Sequence, residues 1–456
     1  MSRILAQIFI FLADFPREQS IGAATVIGQL ERLRFFSHMN SGQKKSDPKR
    51  SHLKGVDQKG RRPTAIDHKT LGLVQAVIRQ IELGSMEMRL PDGSEFRAEG
   101  RVAGPTGKLQ INHPNFYRRL IVGGEVAFGE MFMDGWWSSP DLQDLLDVIL
   151  MNNENLARKL PGIGLFRLRE RVRHLMRNNS KAGSQRNIAH HYDLGNQFYS
   201  LWLDESLTYS SALFCSNRES LGQAQRNKYA AICDRLAISP GDQILEIGCG
   251  WGGFAEFAAR ERGAHITALT ISREQQKFAQ QRLFSAGLAD RVKIRLRDYR
   301  DEDGTYDGIV SIEMIEAVGE KYWPLFFSSL RARLRPNCRA ALQAITIADR
   351  LFPRYRQGAD FIQKYIFPGG MLLSPDSLVK QGRAAGLHVV EKQSLADSYS
   401  RTLRVWRRQF NASWEQISTL GFDNRFKRMW NFYLAASAAG FAAGTTDVAQ
   451  ITYHRK

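Results

Sequence analysis

The sequence predicts an α/β fold: a doubly wound sheet carrying a helical cap, preceded by a smaller α+β domain. Three observations carry this. From Asn187 onward, short apolar strands alternate with helical segments, the pattern of a sheet covered on both faces. A glycine-rich turn, Gly248 to Gly253, follows the apolar run Ile244–Ile247 and opens a helix near Phe254. Ahead of that region, residues 71–155 mix alternating strands with short helices, and a length of 456 residues admits two or three domains.

In chain order, Ile4 to Phe15 reads as a short apolar helix, with Arg3 as its only early positive charge and no small-residue cleavage site after it. Ser41 to Thr64 carries eight Lys and Arg residues and almost no large apolar one. Such a stretch cannot bury enough surface to offset chain entropy, so residues 1–70 are expected to form a flexible basic arm. Met86 to Leu90 alternates and turns at Pro91-Asp92-Gly93. Strands are expected at Phe96–Val102 and Lys108–Ile111, and helices at Asn115–Leu120 and Pro140–Met151. Residues 156–186 interleave Arg and Lys with Leu, Ile and Phe, a basic linker suited either to an anionic membrane surface or to an ordinary solvated helix. The domain of residues 187–456 follows. A helix is expected at Glu219–Leu236, and strands at Gln243–Gly248, His265–Thr270, Val292–Leu296, Gly308–Ile312 and Arg339–Ile345. Val448–Tyr453 alternates like an antiparallel final strand.

Lys and Arg total 64 against 46 Asp and Glu, a net charge of +18. That surplus points to a polyanionic partner, nucleic acid or an anionic membrane. The four cysteines, Cys215, Cys233, Cys249 and Cys338, fall at no metal-binding spacing. No metal site or disulfide framework is expected, and a reducing cytoplasm fits. No apolar run reaches the roughly 20 residues that span a bilayer.

Gly248, Gly250 and Gly252 bend the chain and let a ligand approach backbone without a Cβ in the way. Gly248, Gly250 and Gly253 also fit the dinucleotide pattern, so glycine spacing alone does not decide. The next strand ends at Thr270, where a dehydrogenase would place an acid for the ribose diol. Glu246, two residues before the first glycine, resembles the acidic position of class I methyltransferases.

Further motifs then appear in one order: His190-His191-Tyr192-Asp193-Leu194, Leu207-Thr208-Tyr209-Ser210, the glycine loop, Leu269-Thr270-Ile271-Ser272, Met314-Ile315-Glu316-Ala317-Val318-Gly319, and Tyr365-Ile366-Phe367-Pro368-Gly369-Gly370. Over residues 185–456 the chain resembles the cyclopropane-fatty-acyl-phospholipid synthase family, which includes the mycolic acid cyclopropane synthases. Gly129 to Trp137 resembles that family's smaller N-terminal domain.

The resemblance implies S-adenosylmethionine as methyl donor and the cis double bond of a phospholipid acyl chain as acceptor. It implies a cyclopropane product, with a bound bicarbonate ion removing the proton. Cofactor contacts carried over by motif are Tyr209, Ser210, Glu246, Gly248, Gly250, Gly252, Thr270, Ile271, Ser272, Gln275 and Tyr299. The anion site carries over to Glu316, Tyr399, the backbone of Ile345, Ser211 and Gln343. Ser211 and Gln343 are departures, standing where cysteine and histidine are common, so a methyl-branched alkene or a methylene product is the alternative. C-terminal aromatics such as Phe361, Trp406, Trp430 and Phe432 together suit an acyl channel, while any one of them is more simply read as packing of the cap. The partners implied are unsaturated phospholipid acyl chains and an anionic membrane surface on the cytoplasmic side. No nucleic acid is expected, since no Asn/Asp-Pro-Pro-Tyr/Phe motif is present, and a homodimer stays open. Small-amine N-methylation and non-catalytic lipid binding are the competing readings.

Overall fold

The computed structural model describes residues 71–72, 75–76, 78–152 and 194–456. The basic arm, the basic linker and His190 to Asp193 lie outside the described residues.

In the smaller unit, β1 (Leu83–Arg89) pairs antiparallel with β2 (Glu95–Glu99) across a turn. The Asp92 carboxylate closes that turn by accepting the Ser94 N–H at 3.0 Å. β3 (Val102–Ile111) then lies parallel to β1. The strand expected over Phe96–Val102 is interrupted at Gly100, where an added Cβ would sit 2.5 Å from the Glu82 carbonyl. α1 (Phe116–Met133) runs well past the expected Leu120, because Phe128, Met131 and Phe132 continue its buried face. It kinks at Gly124, whose φ of 56° and ψ of −139° leave the helical region. β4 (Trp137–Ser138) completes a four-stranded sheet of order β2-β1-β3-β4. α2 (Leu142–Met151) starts on Asp141, whose carboxylate accepts the N–H groups of Gln143 and Asp144.

In the larger unit the first long helix is α3 (Leu221–Leu236), capped by Ser220. β5 (Gln243–Ile247), α4 (Gly253–Arg262), β6 (His265–Thr270), α5 (Arg273–Ser285) and β7 (Val292–Leu296) build one half of a sheet. β8 (Tyr306–Ile312), α6 (Trp323–Arg333) and β9 (Leu334–Ile347) build the other. After α7 (Pro375–Ala384) and β10 (His388–Ser394), the long helices α8 (Ala396–Ala412) and α9 (Asn424–Ala442) form a cap, and β11 (Thr446–His454) closes the sheet. The order is β10-β11-β9-β8-β5-β6-β7. β11 is antiparallel to both neighbours, as its alternation predicts. The doubly wound fold with a helical cap is therefore present.

The chain winds outward from β5 in one direction and from β8 in the other, so the switch point lies between them. Crevices at such points receive ligands at the carboxyl ends of the strands. The glycine loop after β5 and the Glu313–Glu316 segment after β8 meet there. A Cβ on Gly248 would come within 2.7 Å of Met314 Cγ.

The cap also binds the smaller unit. Phe128, Phe132 and Trp137 surround Phe432 of α9, with ring centroids 6.0 to 6.4 Å away. Gln143 donates to the Ala435 carbonyl at 3.2 Å, and Arg404 pairs with Asp147 at 2.7 Å. Trp406, Phe410, Trp430 and Phe432 are buried in one apolar cluster shared by both units.

Candidate active site

Glu313 leaves β8 with a left-handed backbone, φ 47°, and its N–H donates to the Gln343 carbonyl of β9 at 2.7 Å. Its side chain gathers three donors. Oε1 accepts the Ser211 N–H and the Gln343 amide, each at 2.8 Å, and Oε2 accepts the Tyr399 hydroxyl at 2.9 Å. Ser211, Gln343 and Tyr399 are buried, while Glu313 stays partly accessible. The Gln343 amide is oriented in turn. Its Oε1 accepts from Gln450 at 2.9 Å, and the Gln450 oxygen accepts from Arg235 at 3.2 Å. This relay points the amide N–H at the carboxylate.

Glu316 sits three residues on, in a turn of 3-10 helix. Its Oε1 accepts the Ile345 N–H at 2.5 Å, and its Oε2 is buried without a hydrogen-bond partner. Burial, reinforced by the charge of Glu313, pushes the Glu316 carboxyl up to about 8. Burial leaves Glu313 raised too, although the Gln343 and Ser211 donors, Lys228 and Tyr399 each act to lower it. Two neighbouring carboxyls in unlike surroundings take different protonation states. Glu316 is raised to about 8 with only backbone N–H groups, its own and that of Ile345, to favour its charge, whereas Glu313, also raised by burial, has three donors and Lys228 to favour its carboxylate form.

The sequence placed Tyr399, Ser211 and Gln343 around an anion held by Glu316. In the structure these three converge on Glu313 instead, and of that set only the Ile345 N–H reaches Glu316. Ser211 contributes its backbone; its hydroxyl donates to the Ala212 carbonyl at 3.0 Å, so it does not replace a cysteine thiol in the shell. Glu313 escaped the sequence reading although it directly follows an apolar strand, the position where open α/β sheets place reactive groups.

A second buried cluster supports the Tyr209–Ser210 segment. Lys228 Nζ donates to Ser210 Oγ at 2.8 Å, and Gln225 donates to the Ser210 carbonyl at 3.0 Å. Both come from the buried face of α3. Polar residues among the apolar ones on this buried helix face, Gln225 and Lys228 with Arg235 further on, were the available signal for them. Burial lowers the Lys228 ammonium, opposed by Glu313, Asp204 and Glu246. Tyr209 packs among Tyr199, Trp202 and Trp406, and its hydroxyl meets that of Tyr433 at 2.8 Å.

The glycine loop offers room for a ligand. Gly250 has φ 52°, and a Cβ built on it would meet nothing within 4 Å. Glu246 Oε2 and the Tyr299 hydroxyl are buried with no hydrogen-bond partner, and burial pushes the Glu246 carboxyl up to about 8. Thr270 donates to Gln275 at 2.9 Å and accepts the Ser272 N–H at 3.1 Å, while Ser272 caps α5, so these residues with Ile271 fix the turn after β6. Open backbone beside orphaned polar atoms fits a polar ligand such as S-adenosylmethionine. Glu246, Gly248, Gly250 and Gly252 lie at the end of β5 and in the loop after it, and Thr270, Ile271, Ser272 and Gln275 at the end of β6 and the start of α5, with Tyr299 in the short 3-10 turn after β7. Among the described residues no group of His, Cys, Asp and Glu is arranged to hold a metal, and no helix is long and apolar enough to cross a membrane.

The family model described as mycolic acid cyclopropane synthetase matches residues 179–451. The tuberculostearic acid methyltransferase of Mycobacterium tuberculosis is 40% identical over 80% of this chain and 87% of its own length. The cyclopropane-fatty-acyl-phospholipid synthase of Escherichia coli is 32% identical over 81% of this chain and 96% of its own. A mycolic acid cyclopropane synthase solved in complex with SAH and CTAB is 30% identical, with a TM-score of 0.56. The match covers 59% of this chain and 98% of that one.

Proposed function

The chain belongs to the mycolic acid cyclopropane synthetase family, and on that premise we propose that it methylates the cis double bond of an unsaturated phospholipid acyl chain. It is an S-adenosylmethionine-dependent methyltransferase acting on lipid acyl chains; the position, the phospholipid and the product are the proposal. The observation that carries it is the carboxylate of Glu313, held by three donors at the switch point beside the glycine loop.

The alkene π pair attacks the methyl carbon of the donor. The carbon–sulfur bond breaks, its electron pair stays on sulfur, and a carbocation forms on the acyl chain. Such a cation is a strong acid, so a weak base suffices if it is well placed. Loss of a proton from the new methyl group lets that C–H pair close a cyclopropane ring, which is the first reading. The second reading is proton loss from a chain carbon next to the cation, giving a methyl-branched alkene, or a 1,2-hydride shift from the methyl-bearing carbon to the cation followed by proton loss from the methyl, giving a methylene group. It is favoured by the 40% identical relative named a tuberculostearic acid methyltransferase. Saturating that product would require a separate reductant.

Lipid extracted from cells with and without the protein tests the function. A mass gain of one CH2 on monounsaturated chains is the expected result. Ring, alkene and methylene products share that mass, so proton NMR separates them. No mass change on any acyl chain would remove the reading.

Docking on the cytoplasmic face of an anionic membrane, in the monomer or a homodimer, is proposed from the charge of +18. Attraction of this kind weakens as the Debye length shrinks to about 3 Å at 1 M salt. Co-sedimentation with anionic vesicles should therefore fall with salt and exceed that with neutral vesicles. Equal binding to both would remove the charge argument.

A further inference from the structure

We propose that Glu313 is itself the proton acceptor, standing in for a bound bicarbonate ion, so that this enzyme works without one. The inference rests on the acyl-methylation reading above.

Two independent observations carry it. The first is the hydrogen bonding. The backbone N–H of Ser211, the amide of Gln343 and the hydroxyl of Tyr399 are the neutral donors an anion would need here, and all three already serve the Glu313 carboxylate. A free anion at this place would have to displace a covalently tethered one, which needs no binding entropy to stay. It would also meet the negative charge of Glu313.

The second is the backbone. Glu313 has φ 47°, the left-handed region that favours glycine and disfavours a residue with a longer side chain. A glutamate held there carries strain, as Leu207, Ala237 and Asn337 do elsewhere among the described residues, and strain of this kind is found more often at functional sites. The relay from Arg235 through Gln450 and Gln343 then fixes the carboxylate from behind. Glu313 keeps partial accessibility although its donors are buried. In the step assigned to it, the acyl cation loses a proton to the Glu313 carboxylate, which becomes the neutral acid. The C–H electron pair becomes the new C–C bond or the new π bond.

The test uses the full chain, radiolabelled S-adenosylmethionine and anionic vesicles whose phospholipids carry cis-monounsaturated chains. Rates are compared in carbon-dioxide-free buffer and with millimolar bicarbonate. Wild type is expected to run at the same rate, within about twofold, in both. Glu313→Gly suits the left-handed backbone and opens space among the donors. It should lose at least about a hundredfold in rate, regain part of it with added bicarbonate or formate, and bind S-adenosylmethionine as wild type does. A wild-type rate that collapses on removing bicarbonate overturns the proposal without any variant being made. So does a Glu313→Gly enzyme at full rate with no added anion. A wild-type enzyme that binds S-adenosylmethionine but methylates none of these lipids overturns the substrate reading, and this inference with it.

Discussion

Tyr399 in the cap donates its hydroxyl proton to Glu313 Oε2 at 2.9 Å, joining two residues 86 positions apart. The bond ties α8 to the carboxyl edge of the sheet, so the cap must be docked before the carboxylate is fully held. A hydrogen bond to a charged group is worth about 1.5–3 kcal/mol. Tyr399→Phe should lower turnover about tenfold or more at neutral pH. The Tyr399 donor also pulls the Glu313 carboxyl down, so losing it raises that carboxyl further. The base must be ionised to act, so activity rises with pH as it deprotonates. The acid limb of the rate profile should therefore move to higher pH in Tyr399→Phe, with part of the lost rate recovered there. An unshifted limb would separate Tyr399 from the base.

Gly250→Val tests the methyl-donor site. The left-handed φ of 52° disfavours a branched side chain, and the space a Cβ would enter is open. Calorimetry should show S-adenosylmethionine affinity falling tenfold or more. Gly250→Ala keeps most of the strain with less bulk and should lose less. Equal losses in both would point to backbone strain in place of blocked ligand space.

Gly129 probes the seam between the two units. A Cβ there would lie 2.4 Å from Phe361 Cδ2 and 2.9 Å from Phe432 Cε1, both rings buried. Neither ring is free to swing away. Gly129→Val should cost about 1–3 kcal/mol by overpacking, seen as a lower denaturation midpoint. If the small unit were only loosely docked, the midpoint would not move.

Much of the fold was legible because apolar strands such as His265–Thr270 and Val292–Leu296 are short, bounded by polar turns and alternate with helices. The glycine loop was legible for the same reason. The full extent of β9, Leu334–Ile347, was less so, since Arg335, Pro336 and Asn337 interrupt its apolar pattern. At the site, motif matching supplied Glu316, Tyr399, Gln343 and Ser211. It could not supply which carboxyl the donors face. That depends on the φ of Glu313 and on the register of β9 against β8, where Ile312 lies opposite Gln343. Both are set by tertiary packing, which local pattern does not encode.

Glu316 gives the last prediction. Its carboxyl is pushed from the ordinary 4.5 to about 8, chiefly by burial and then by the charge of Glu313. Below pH 4.5 both the folded and unfolded chains hold this proton, so the stabilising contribution is fully present. As pH rises toward 8 the unfolded chain releases the proton and the folded chain keeps it. The folded state then binds more protons, and stability falls with rising pH. Glu316→Gln keeps a carbonyl oxygen for the Ile345 N–H and cannot titrate. Its melting temperature should gain on wild type steadily between pH 5 and 7.5, by a few degrees in all. Glu246, raised in the same sense, and Lys228, lowered in the opposite one, are present in both proteins and largely cancel in the difference. Because the neutral acid is what glutamine imitates, Glu316→Gln should also lose less turnover than Glu313→Gln at neutral pH. Melting curves whose separation does not change with pH would show that Glu316 is ionised in the folded protein. A Glu316→Gln enzyme slower than Glu313→Gln would reverse the roles given to the two carboxyls.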